Sequence, residues 1–150
     1  MRTADTLVRV RDVMKPNFDL VDGMDTVAQA LERMLHVDTK SLIVRKRHPD
    51  DEYGLVLISD IAREVLAKDH APERVNIYEI MSKPLVSVGP MMDIRYCARL
   101  LNRFDLSRAP VVDQDEVIGI VSLTDLVLKG MRSRHRGTPD RIQDAAPAHR

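Results

Sequence analysis

The chain repeats itself. Val8, Val10, Val13 and Met14 of VRVRDVM return as Val75, Ile77, Ile80 and Met81 of VNIYEIM, each 67 residues later. Val21 with Val88, Val27 with Ile94, and Met34 with Leu101 keep that offset; SLIV at 41–44 matches APVV at 109–112 with an offset of 68, and Gly54 and Gly119 lie 65 apart. An internal repeat constrains a fold more than any local propensity, because both copies must solve one packing problem with one element order. Offsets that drift slightly place short insertions and deletions in the loops. Each copy spans only roughly 60 residues, too few to bury a comfortable core alone. The two are therefore expected to share one core about a pseudo-twofold axis.

Each copy has the same local grammar. Val27, Ala30, Leu31, Met34 and Leu35 form the stripe of an amphipathic helix, and Ile94, Cys97, Ala98 and Leu101 form its counterpart. Asp25 or Thr26, and Asp93, stand where caps are needed. Two β-rich runs follow in each copy, 42–45 then 54–58, and 110–112 then 117–123, joined by the turn-forming KRHPDDEY and DQDE. A second helix is expected from about Ile61 and from about Leu126. The predicted class is α+β: two pseudo-symmetric β-α-β-β-α repeats, at 8–68 and 75–131, packed by their sheets. The polar, locally basic stretch 132–150 fits neither repeat and reads as a mobile tail or as a docking segment for an acidic partner.

Composition narrows the function classes. Lys plus Arg and Asp plus Glu number 23 each, so the chain as a whole is not an electrostatic nucleic-acid binder. Aromatic residues are 3% with no Trp, which leaves no stacking platform for single strands. The start of the chain has no apolar signal region and no run reaches membrane-spanning length, so neither export nor a membrane is expected. Cys97 is the single cysteine, which excludes an intrachain disulfide and suits a reducing, cytoplasmic setting. There is no P-loop and no GxGxxG, and His36, His48, His70, His135 and His149 lack metal-ligand spacing. Cys97 falls on an apolar helix face, and Met34, Met81, Met91 and Met92 read as packing. No catalytic residue and no metal site is predicted, and the chain does not read as an enzyme.

One feature remains. GLVLISD at 54–60 and GIVSLTD at 119–125 each bring an apolar strand to a hydroxyl and a carboxylate where a helix begins. Capping is the ordinary use of such residues. A carboxylate is also an acceptor-only group that can take both hydroxyls of a ribose diol, and Ser122 and Thr124 could donate to phosphate oxygens at a helix start. Arg108 and Lys40 precede the facing strands, where a cation would neutralise phosphate. Ala109, Pro110 and Val111, or Leu42 and Ile43, offer apolar walls for a flat base.

Taken together, DVM and EIM at the repeat starts, SRAPVVD at 107–113, GIVSLTD and GLVLISD resemble a tandem pair of CBS (cystathionine-β-synthase) domains, a Bateman module, over residues 8–131. The resemblance implies a regulatory adenine-nucleotide sensor with ligand clefts between the repeats. AMP, ADP or ATP is the implied ligand, with a dinucleotide or S-adenosylmethionine as related choices. By that resemblance Asp125 and Asp60 hold ribose, and Ser122 and Thr124 are the hydroxyl positions of the second repeat. In the first repeat Leu57 replaces one hydroxyl and only Ser59 remains, a loss that would weaken binding roughly tenfold to a hundredfold. The basic position maps to Arg108 for the Asp60 cleft and to Lys40 for the Asp125 cleft, with Asp125, Thr124, Ser122 and Lys40 the better-equipped set. The resemblance further implies a homodimer that signals in trans to an unidentified protein partner. The competing expectation is a ligand-free oligomerisation or interaction module whose Asp corners are only caps.

Overall fold

Apolar side chains on both faces make 41–44 and 54–57 a strand pair rather than an amphipathic element, and the connection between them turns it back on itself. The structure is a computed structural model that describes residues 7–83 and 86–132; the expected tail beyond Arg132 lies outside them, as do His135 and His149. The chain forms two units, one of Lys15–Ser87 and one that joins the segment through Met14 to the chain from Val88.

In the first of these, β1 (Leu20–Val21) runs parallel to β2 (Ser41–Val44), and β2 pairs antiparallel with β3 (Gly54–Leu57). Helix α2 (Val27–Arg33) crosses between β1 and β2, capped by Thr26, whose hydroxyl accepts the Gln29 N–H at 3.1 Å. It ends sooner than the apolar stripe suggests, because the Asp19 carboxylate captures the N–H groups of Leu35 (2.9 Å) and His36 (2.8 Å). Leu31 and Leu35 are exposed, while Val27 and Ala30 enter the core with Leu42, Val56 and Ile77. After β3 comes α3 (Ile58–Ile61), which widens into a π turn at Ala62–Leu66. The unit is closed by α4 (Ile77–Ile80), which comes from the start of the second sequence repeat.

The other unit repeats the plan. Its leading strand is reduced to one parallel bridge, Val88 to Val111. Helix α5 (Ile94–Arg103) is capped by Asp93, which accepts the Arg95 N–H at 2.8 Å. Strands β4 (Arg108–Asp113) and β5 (Glu116–Ser122) form the hairpin, turned through Gln114 and Asp115 at φ 51° and 68°. Then α6 (Leu123–Asp125) widens into a π turn at Leu126–Met131. Here α1 (Val10–Val13) fills the place that α4 takes in its own unit.

The repeat starts are thus exchanged. Val10 donates to Met92 O (2.8 Å) and Arg11 to Pro90 O (2.9 Å), while Ile94 donates to Val8 O (3.1 Å). In the Lys15–Ser87 unit the same three bonds are Ile77 to Asp25 O (2.8 Å), Tyr78 to Gly23 O (2.9 Å) and Val27 to Val75 O (2.8 Å). The sequence repeats 8–68 and 75–131 and the folded units differ by this exchange.

Two expectations change in detail. The second helices start at Ile58 and Leu123, three residues before Ile61 and Leu126, because the corner residues supply the cap. The strand alignment also shifts by one. Ser41 opposes Leu57 as Arg108 opposes Ser122, and Val21 opposes Val44 as Val88 opposes Val111. The offset through these strands is therefore 67 (Ser41 to Arg108), not the 68 that matches SLIV with APVV. Strand β2 is buried on both faces, so apolarity carries no alternation that could fix the register. Among the described residues no helix is long and apolar enough to cross a membrane.

Candidate functional site

The corner at the end of β5 is built from Ser122 and Asp125. Ser122 is the N-cap: its hydroxyl accepts the Asp125 N–H (3.1 Å) and donates to Asp125 Oδ2 (3.0 Å), and the same oxygen accepts the Ser122 N–H (3.3 Å). This reciprocal cap holds a carboxylate that is only 3% exposed. Its other oxygen, Oδ1, lies 3.6 Å from Lys129 Nζ, one turn along the helix. Lys129 also donates to Val13 O at 3.4 Å, tying the π turn after α6 to the α1 segment.

Arg108 starts the strand that pairs with β5, directly opposite Ser122. It is half-buried; that desolvation pulls its guanidinium below the ordinary value, while the Asp125 charge pushes the other way. Its Nε donates to Ser107 Oγ at 3.3 Å, and Ser107 O accepts the Leu123 N–H at 2.9 Å, closing the corner. Thr124 is exposed, so its hydroxyl is the outward one; that of Ser122 is committed to the cap. Ala109 and Pro110 are buried behind the corner.

The corner after β3 is the same construction with less chemistry. Asp60 Oδ2 accepts the Leu57 N–H at 2.9 Å, but Leu57 has no oxygen to return, so half of the cap is missing. Arg63 holds Asp60 Oδ1 at 2.5 Å. Ser59 is exposed. By the corrected register Ser41, buried, stands where Arg108 stands, and Lys40 comes one residue earlier at the place of Ser107. Lys40 is exposed, at φ 57°, and its carbonyl accepts the Ile58 N–H at 3.0 Å. Leu42 is 0% exposed within the core, so it presents no side-chain surface to a ligand.

Besides Lys129 and Arg63 on the helices, each unit brings the basic residue of its own strand start to its own corner: Arg108 beside Asp125, and Lys40, through its backbone, at the Asp60 corner. The sequence reading assigns each base to the opposite acid. That reading also passes over Lys129 and Arg63, although their i+4 and i+3 spacing from an aspartate on a helix is a usable signal. Cys97 is 0% exposed, and burial pushes its thiol up to about 11, which keeps it protonated and unreactive near neutral pH. Among the described residues no group of His, Cys, Asp or Glu could hold a metal ion.

Comparison with known proteins places this architecture. The family model described as "CBS domain" matches residues 77–131. The chain is 33% identical to the hexameric CBS-CP12 protein from bloom-forming cyanobacteria, with a TM-score of 0.79, covering 92% of this chain and 82% of that one. This chain belongs to the CBS-domain family. A curated relative, the CBS domain-containing protein YhcV of Bacillus subtilis, is 27% identical over 129 residues, which is 86% of this chain and 90% of the relative. A CBS domain pair solved in complex with 5'-methylthioadenosine and S-adenosyl-L-methionine has the same fold, with a TM-score of 0.67 at 21% identity, covering 81% of this chain and 94% of that one. The two units are accordingly a tandem CBS pair of α+β class, a regulatory module, and the exchanged segments α1 and α4 belong to its construction.

Proposed function

We propose that this CBS pair is a sensor for an adenosine-bearing ligand, AMP, ADP or ATP in the first instance, taken at the Asp125 corner with the Asp60 corner as the weaker counterpart. One observation carries the reading: a half-buried arginine, Arg108, beside the buried Asp125. A helix cap needs Ser122 and Asp125, but it does not need a guanidinium drawn out of water. An acid for a ribose diol, an arginine for a phosphate and an outward hydroxyl on Thr124 are the complement of a nucleotide. Ala109 and Pro110, expected from the sequence as walls for the base, are buried behind the corner like Leu42, so the reading rests on the acid, the arginine and the outward hydroxyl. In the other unit Lys40, Ser59 and Asp60 offer the same chemistry with Ser41 in the arginine's place. The adenosyl ligands of the structurally similar CBS pair support this ligand class.

Ligand binding would shift the population between conformations and so signal to a protein partner in trans, without catalysis. Leu66, Val127, Leu128 and Met131 are exposed apolar residues of the π turns, and they would serve self-association as a homodimer in the cytoplasm, testable by light scattering of dilute protein. Isothermal titration with AMP, ADP, ATP and S-adenosylmethionine tests the sensor reading. Saturable heat that is lost in Asp125→Ala and retained in Asp60→Ala is expected; four flat titrations of the unmodified protein refute it.

A second reading has its own support. Both acids already have partners on their own helices, Lys129 and Arg63, and both cap a helix start. A ligand-free interaction module needs nothing more. Under it, Asp125→Ala costs about 0.5–2 kcal/mol of stability through the lost cap and no adenosyl compound shifts the melting temperature.

A further inference from the structure

Lys40 and Asp60 mark one end of the β2–β3 pair; a cleft of about 540 Å³ opens at its other end. Met24, Val44, Tyr78 and Met81 give it apolar walls, with Gly23 among them, and Arg45, Lys46 and Arg47 form its cationic rim. All of these belong to the Lys15–Ser87 unit. We propose that this cleft binds a small ring-bearing oxyanion, its ring against Met24, Tyr78 and Met81 and its phosphate or carboxylate on Arg45. The proposal is independent of the Asp corners.

The three cations are not equivalent. Arg47 is held by Asp51, which accepts its backbone N–H at 2.9 Å and its Nε at 3.0 Å. Lys46 lies 5.1 Å over the Tyr53 ring. Arg45 is exposed and makes no ion pair among the described residues. Asp22, the acid in the lining, accepts the Met24 N–H at 2.9 Å and so serves its own turn. An oxyanion would therefore meet positive charge at Arg45, in the planar fork that suits two oxygens.

The fold does not require this charge. Arg45 donates its backbone N–H to Val21 O at 2.8 Å exactly as Val112 donates to Val88 O at 2.8 Å, so the two positions are equivalent. In the other unit Val112 is followed by Asp113, Gln114 and Asp115, an acidic hairpin on the same scaffold. The apolar part of the cleft is equally unexplained by packing: Met24 is 70% and Tyr78 50% exposed. The volume lies within the range of about 300–1,000 Å³ that small-molecule sites occupy.

Amide NMR of the full chain, titrated with phenyl phosphate and with benzoate, tests the proposal, with phenol and inorganic phosphate as half-ligands. Saturable shifts at Gly23, Arg45 and Tyr78 are expected with at least one ring-bearing anion, and the tighter of the two identifies phosphate or carboxylate as the preferred group. Arg45→Gln, at an exposed position that leaves the rest of the spectrum in place, should weaken that binding roughly tenfold or more. Shifts that fail to saturate, that persist in Arg45→Gln, or that phenol or inorganic phosphate reproduces with equal affinity overturn it.

Discussion

Asp51 shows what one side chain can contribute and how to read it. The Arg47 side chain and then Lys83 hydrogen-bond its carboxylate, and both hold its pKa well below the usual carboxylate range. A carboxyl depressed in the folded state contributes stability above its unfolded pKa of roughly 3.9, and that stability is lost as the pH falls towards the folded value. Urea midpoints measured from pH 7 to pH 2 should therefore fall more steeply below about pH 4 in the parent than in Asp51→Asn. Parallel curves for the two proteins would show that the pair does nothing in solution. At this scale the sequence was partly legible. Ser122 and Asp125 announce a cap by type and spacing, but that the Ser122 hydroxyl is consumed by the Asp125 carboxylate depends on rotamers that only packing sets.

Elements depart from expectation where a backbone group, not a side-chain pattern, decides. The apolar stripe of α2 continues through Leu35, yet the helix stops because Asp19 offers its carboxylate to two N–H groups, a contact 16 residues away along the chain. Both second helices widen into π turns directly after their Asp corners, and no residue type along them foretells it. Gly130 sits within one of these turns. A Cβ built there would lie 2.5 Å from Ile94 Cδ1, and Ile94 is itself buried. Gly130→Val should therefore cost about 1–3 kcal/mol in chemical denaturation, whereas Gly89→Ala, with nothing within 4 Å, should leave stability close to the parent's. Equal effects at the two glycines would mean that the turn relaxes freely around an added side chain.

For the whole molecule, the exchange of α1 and α4 is the organising fact. Val8, Val10 and Val13 are buried, and their segment supplies three backbone hydrogen bonds to the unit that begins at Val88. Deleting residues 1–14 should accordingly lower hydrogen-exchange protection in β4 and β5 while β2 and β3 keep theirs; equal loss in both pairs, or none, would contradict the exchange. The repeat, the α+β class, the family and the pair of Asp corners were all carried by the order and spacing of residue types, because helix period, strand composition and capping chemistry are local properties of the chain. Tertiary structure alone decided the rest. The pairing of Ser41 with Leu57 and of Arg108 with Ser122, the placing of Arg108 beside Asp125, and the attachment of each repeat start to the other unit all depend on hydrogen bonds between residues far apart in sequence. A run buried on both faces, such as 41–44, presents the same apolar surface in neighbouring registers, so only the paired backbone could choose between them.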